Sequence, residues 1–439
     1  MKKYFILAAA AIVALAACTK MEVANTPDTA KKISFEVANY VPQTKSTTNG
    51  SLVGEGVYKF HTVAYQTPEI GNPVKFMDDD VLAYNNSSVV TSGTTVTSWA
   101  PSLDYYWPKT GYISFYSYAG TLAGTAVEGS AASAFASSES PFTTVVLNFG
   151  SKTIDENDNL MVADAALHYN GVNSNSYSVD NNGSGSDVTT GVPTLFHHML
   201  SRLSIDVKAK TNATVNANST TTWKVKVLGS QAIGGNTYKS AVYPVKKGSL
   251  RMQHSDNYSG SVNGYTIGSI AWTFPDVTEN DNSVNGWIPA TGSGITEEIQ
   301  LDYGDNDPLS INIKTDAGRT SASTVTLLAE RTVMPQLAGN VKFVLVYEVA
   351  AYHDGEDTPF MQEIRYVGID LVDDAVDETK DLVDLASSIT SWEANKKYIY
   401  HIVIDPVTNK VTFDPAVVGW ETPSIENGTD INVNNSGII

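Results

Sequence analysis

The chain has 439 residues, is 42% hydrophobic and 17% charged, and carries a formal net charge of −19. Such acidity repels phosphate backbones and anionic membrane surfaces, which excludes nucleic acid as a partner. One cysteine in the whole sequence excludes a disulfide framework and a cysteine-rich zinc site, so stability must come from buried core, for which the length suffices twice over.

The sequence opens MKKYFILAAAAIVALAAC, with Lys2 and Lys3 ahead of an apolar run from Tyr4 to Leu15, then Ala16, Ala17 and Cys18. Residues 1–17 read as a secretory signal peptide whose apolar centre falls short of the ~20 residues of a membrane helix. Leu15-Ala16-Ala17-Cys18 resembles a bacterial lipobox, in which the cysteine is acylated on sulfur and becomes the new N-terminus. An ordinary signal with a stray cysteine is the alternative, but the sole cysteine stands where the motif requires it. Residues 18–32 are polar and aperiodic, a tether.

Ile33-Ser34-Phe35-Glu36-Val37 alternates apolar and polar, the period-2 mark of a half-buried strand. Gln43 to Gly50 is small and polar, a loop within easy reach of proteases. A second alternating strand is expected over Val57–Tyr65. Strand signals recur at Ser88–Thr97, Tyr112–Tyr118, Thr143–Phe149 and Leu160–Ala163. They continue at Leu203–Ala209, Trp223–Leu228, Ile299–Tyr303, Ile311–Ile313, Thr324–Leu328, Lys342–Val349, Ile364–Val367, Tyr398–Ile404 and Val411–Phe413. Val, Ile, Thr, Tyr and Phe dominate these runs and suit a pleated surface. Helical periodicity is scarce, with Ala126–Ser137 and Asp370–Ile389 the best candidates. Many short strands and 22 tyrosines predict an all-β protein of β-sandwiches with few short helices.

Asn170 to Val188 is mostly Asn, Ser, Gly and Asp, with too little apolar surface to order itself. A domain boundary is expected near residue 190, giving an N-terminal sandwich over 33–190 and a C-terminal one over 191–420. Residues 421–439 form a polar tail with spaced apolar positions.

Catalytic patterns are missing: no G-x-S-x-G, H-E-x-x-H, Walker loop or strand-linked G-x-G-x-x-G occurs. The reading is of a non-enzyme without cofactor or metal. Asp155-Glu156-Asn157-Asp158-Asn159 starts like a calcium loop, but Leu160 occupies the place of the required glycine. Asp302, Asp305 and Asp307 make a second acidic turn, and such turns serve conformation as readily as metal. His197 and His198 are neighbours on an expected strand, so they point to opposite faces and do not chelate jointly. Trp99, Tyr105, Tyr106 and Trp107 are read chiefly as core, since each large aromatic buries about 150–250 Å²; an exposed sugar platform is the competing reading.

Several separated pieces together resemble one family: the lipobox at Cys18, ISFEV (Ile33–Val37), YYWP (Tyr105–Pro108) with ISFYSY after it, and NLMVA (Asn159–Ala163). FHHMLSRL (Phe196–Leu203), MPQ (Met334–Gln336), W-x-x-x-x-x-Y-x-Y (Trp392–Tyr400) and VTFDPAVVGW ending at Trp420 complete the set. The chain resembles the fimbrillins of Bacteroidales and their fimbrillin-like relatives, subunits of type V pili. The resemblance implies two tandem transthyretin-like β-sandwich domains and export as an outer-membrane lipoprotein lipidated on Cys18. It further implies cleavage in the loop after the first strand, loss of that strand, and its replacement by a C-terminal strand of a neighbouring subunit. On this sequence Ile33, Phe35 and Val37 would be the plug side chains of the removable segment 33–45. The best-described relatives are cut at arginine, whereas this chain has none before Arg202; Lys45 is the only basic residue between Lys32 and Lys59, which makes Lys45-Ser46 the expected cut. Ile431 and Val433, within Asp430–Asn434, would form the donor strand. The implied protein is a stalk subunit that self-polymerises head to tail in an extracellular fimbrium and contacts a host or bacterial surface ligand. An unprocessed anchor, accessory or tip subunit, or a glycan-binding surface lipoprotein, are the alternatives.

Overall fold

The computed structural model describes residues 32–41, 44–45, 51–67, 73–93, 95–108, 112–124, 134–135, 143–169, 191–209, 221–256, 272, 274, 283–301, 309–312, 324–370, 389–406 and 410–420. Regular structure among them is nearly all strand, broken only by short turns of helix at Ser51–Gly54, Thr121–Gly124 and Ala338–Asn340. The all-β expectation is met. Of the two expected helices, most residues lie outside the described set; Ala134–Phe135 is extended and Asp370 ends a strand.

The first sheet is built from β1 (Phe35–Val41), β2 (Thr44–Lys45), β3 (Lys59–Thr67), β4 (Val74–Asn85), β5 (Ser88–Val89), β6 (Ser98–Pro101) and β7 (Tyr112–Ala119). β8 (Ala134–Phe135) and β9 (Thr143–Thr153) leave it for another sheet, and β10 (Met161–Ala163), β11 (Ala166–Tyr169) and β12 (Val192–His198) return. Its strands run in the order β12-β1-β6-β4-β3-β7, and β10 pairs with both β7 and β12. The sheet therefore closes on itself, and its interior holds Phe35, Phe60, Trp99, Trp107, Phe115 and Phe196. Along the closed path every pairing is antiparallel except β1 with β12, which is parallel.

β4 replaces the strand expected at Ser88–Thr97, where only Ser88–Val89 is extended before the chain bends. Its acidic run Asp78-Asp79-Asp80 hides the alternation of Met77, Val81 and Ala83, which are buried. His61 on β3 bridges Asp78 (2.8 Å) and Asp80 (3.1 Å) through its two ring nitrogens. Asp79 takes hydrogen bonds from Ser102 Oγ (2.6 Å) and the Leu103 amide (3.0 Å). Each carboxylate in the strand is thus paired, which lets three acids sit in a central ladder.

Only Met199 and Leu200 separate β12 from the strand Ser201–Ala209, which belongs to a different sheet. There the order is Thr324–Val333, Ser201–Ala209, Lys396–Asp405, Lys410–Gly419. A facing sheet is centred on Lys342–His353, flanked by Met361–Asp370 and Thr221–Leu228. Leu203, Ile205, Val225, Leu345 and Ile402 fill the space between them. A third core crosses residue 190. β9 pairs along its whole length with Lys247–Asp256, and Leu147, Phe149, Leu250, Met252 and Trp287 pack against Val63, Tyr65 and Tyr116 from the outer face of β3 and β7.

Candidate functional site

The seat of β1 is the place where one strand closes the first sheet. Alternation puts Ile33, Phe35 and Val37 inward, at 2%, 2% and 0% exposure, with Ser34 and Glu36 half-buried between them. The Phe35 ring meets Phe60 and Phe115 edge-on, each at 5.5 Å between centroids. Phe60 in turn meets Phe196 at 5.3 Å and Trp99 at 5.6 Å, and Trp107 meets Phe115 at 5.9 Å, near perpendicular. Phe35 therefore occupies a box of aromatic rings, the geometry their quadrupoles favour. Trp107 is buried in that box, which is the core reading of the aromatic cluster and not the sugar platform.

Main-chain pairing is unequal on the two edges of β1. Along β12 the register runs from Phe35↔Val192 to Asn39↔Phe196, including Pro193, which has no N–H to give. Along β6 only Phe35↔Trp99 pairs. The Ile33 amide donates to the Tyr105 carbonyl (2.9 Å), the Val192 amide to the Ser34 carbonyl (2.8 Å), and Lys32 Nζ to Asp104 (2.8 Å). Gly191, at φ +133°, lies so close that a Cβ there would come 2.8 Å from the Phe35 carbonyl carbon. β6 and β12 do not pair with each other among the described residues. Taking β1 away leaves an open seam with two unpaired edges.

Lys45 lies in β2, which folds back on β1 through Tyr40↔Lys45 and Val41↔Thr44, so the expected loop contains a short hairpin. Just beyond, Leu52 and Val53 re-enter the same core at 0% and 4% exposure. The stretch between Val41 and Leu52 is therefore the only covalent link between two separately buried pieces. Cys18, Ser46, Ile431 and Val433 lie outside the described residues.

The described chain ends on Trp420, which is buried against the end of β12. Its ring stacks on His198 at 4.2 Å and 16°, and the Arg202 guanidinium lies 4.3 Å above it. Arg202 also reaches Glu330 (3.1 Å) and Glu55 (3.5 Å), and Glu330 pairs with the fully buried Lys397. His198 Nδ1 lies 3.0 Å from Asn159 Oδ1, while His197 points the other way, 2.9 Å from Asp164. β12 thus holds β1 along one edge and, through His198, holds Trp420, the last described residue.

The first acidic turn is a folding device. Asp158 takes hydrogen bonds from the Asp155 amide (2.8 Å) and Thr121 Oγ1 (2.9 Å), and Glu156 pairs with Arg331 (3.0 Å). No three His, Cys, Asp or Glu side chains gather to hold a metal among the described residues; Asp302, Asp305 and Asp307 lie outside them. Sequence reading located β1 but not its seat. The strand expected at His197 and His198 is the end of β12, whose earlier alternation in VPTLFHH is obscured by Pro193.

No family model matches the sequence, and no curated protein matches it. Among solved structures, the chain is similar to a fimbrial protein from Bacteroides vulgatus at 15% identity, covering 89% of this chain and 99% of that one, with a TM-score of 0.44. It is also similar to the tip fimbrial protein Mfa3 from Porphyromonas gingivalis with a C-terminal truncation, at 8% identity, covering 83% and 94%, with a TM-score of 0.30.

Proposed function

We propose that the chain is a structural stalk subunit of a surface fimbrium, exported as a lipoprotein precursor and activated by loss of its first strand. The observation that carries this reading is the seat of β1. A strand that closes the sheet, buries three alternate apolar side chains and is tied on by one short link is built to be exchanged. The fimbrillin-like motifs from Cys18 to Trp420 supply the setting in which such an exchange assembles a filament.

Cys18 carries the precursor to the outer membrane, and the cut at Lys45-Ser46 separates it, with β1, from the rest. Ile33, Phe35 and Val37 each contribute about 1.5–3 kcal/mol of burial, so cutting the link does not by itself expel the strand. A competing strand must displace it, supplying both main-chain pairing and side chains. Until then the precursor keeps its own seam closed and stays monomeric. Contact between a tail on one subunit and a groove on the next is heterologous, so it propagates as a filament.

Deleting Asp430–Ile439 tests the reading. Monomers of the deletion variant fold and reach the surface, and electron microscopy shows no extended filaments. Filaments of normal length would rule out a C-terminal donor.

A further inference from the structure

The aromatic box around Phe35 specifies what may replace β1. We infer that the strand which fills this groove carries an aromatic side chain at its centre and belongs to a different protein from this chain. The inference rests on the strand-exchange reading above and names the partner it requires.

Three pockets lie in a row, spaced two residues apart, and their present occupants are Ile33, Phe35 and Val37. The central one is walled by the edges and faces of Phe60 and Phe115, with Trp99, Trp107 and Phe196 behind them. A smaller side chain leaves a cavity that a close-packed core closes only in part. Ile33 and Val37 belong to the same buried apolar core, so a polar side chain in their place loses its water without gaining a partner.

The segment Thr429–Asn435 does not match this row. It offers only Ile431 and Val433 at strand spacing, and Glu421–Ile439 contains no aromatic residue. With Ile431 in the central pocket, Thr429 enters the Ile33 pocket. With Val433 in the central pocket, Asn435 enters one outer pocket. Shifting the row the other way brings Thr429 or Asn435 to the centre. Each register sets an aliphatic or polar side chain among the rings and a polar one in the buried apolar core. A second copy of this chain is therefore the poorer donor, and the tail removed in the deletion above acts in the groove of a different subunit. The matching donor reads aliphatic-x-aromatic-x-aliphatic and runs parallel to β12, with no bulk opposite Gly191, where the approach of the backbones is closest.

The test uses the full chain with a site-specific protease sequence inserted between Lys45 and Ser46. After cutting, a fluorescein-labelled peptide of residues 32–41 is exchanged into the groove, and unlabelled peptides compete for it. The competitors are the 32–41 peptide, its Phe35→Ala variant, the tail peptide 428–437, and that tail peptide with Val433→Phe. Phe35→Ala weakens competition by about a hundredfold or more. The unmodified tail peptide competes as weakly, and Val433→Phe improves it by at least about tenfold. If the tail peptide matches the 32–41 peptide within about threefold, the aromatic requirement is overturned and strand exchange stands. If no peptide enters, and mass spectrometry finds the cut chain still holding its original strand, strand exchange itself is overturned, and this inference with it.

Discussion

Phe35→Ala in the uncut chain measures how far β1 belongs to the cooperative core. Phe35 is 2% exposed and meets two rings edge-on at 5.5 Å. Burial of the ring is worth about 1.5–3 kcal/mol, and each edge-to-face pair adds about 0.5–1.5 kcal/mol. With the cavity left behind, the substitution costs about 3–5 kcal/mol. Because the chain holds more than one core, the readout must be local. Hydrogen exchange of peptides covering Val192–His198 and Ser98–Pro101, followed through a urea series, reports the two strands that flank β1. Protection there falls at lower urea in the variant, while protection in Lys396–Asp405 is unchanged. Val74→Ala, at a residue 45% exposed, is the control and shifts stability by less than about 0.5 kcal/mol. A Phe35→Ala loss below about 1 kcal/mol, against the large-to-small expectation, would refute the reasoning, since β1 would then be a loose appendage and not the closing strand.

Gly191→Ala forces a side chain into φ +133° and to 2.8 Å from the Phe35 backbone, costing about 1–3 kcal/mol from the conformation alone; thermal melting shows it losing more than Gly150→Ala, whose Cβ meets open space. Glu330→Gln removes the carboxylate from the buried Lys397 ammonium and from Arg202; stranding the lysine costs about 3–5 kcal/mol in urea unfolding, and a change under about 1 kcal/mol, too small for a stranded buried charge, contradicts the pairing. Desolvation pushes the Asp78 carboxyl up, but hydrogen bonds from Lys75 and His61 outweigh it and hold the carboxyl below its ordinary value. The stability from that pairing is complete above pH 3.8 and is lost as pH falls through the lower folded-state value. Asp78→Asn therefore flattens the acid limb of the stability–pH curve, and parallel curves for variant and parent would count against it.

β1 was legible because Ile33-Ser34-Phe35-Glu36-Val37 alternates cleanly and one face of it is buried. Most later strands were legible for the same reason, with bounds that grow in the structure where ladder neighbours extend them, as in Lys342–His353. β4 was not, since three consecutive acids look like a loop until His61 on β3, Lys75 earlier in β4 and Ser102 just beyond β6 supply partners. The closure of the first sheet was not legible either. It depends on β7 meeting β10 and on β1 lying parallel to β12, pairings between distant segments that no local period encodes. His197 and His198 were correctly set on opposite faces, but the stacking partner of His198 is Trp420, at the far end of the described chain.

The subunit in a finished filament has either kept β1 or lost it. N-terminal sequencing of the protein purified from surface filaments decides this most directly. A start at Ser46 is the predicted result. Filament shafts built of protein that begins at lipidated Cys18, with Ile33, Phe35 and Val37 still covalently attached, would contradict it.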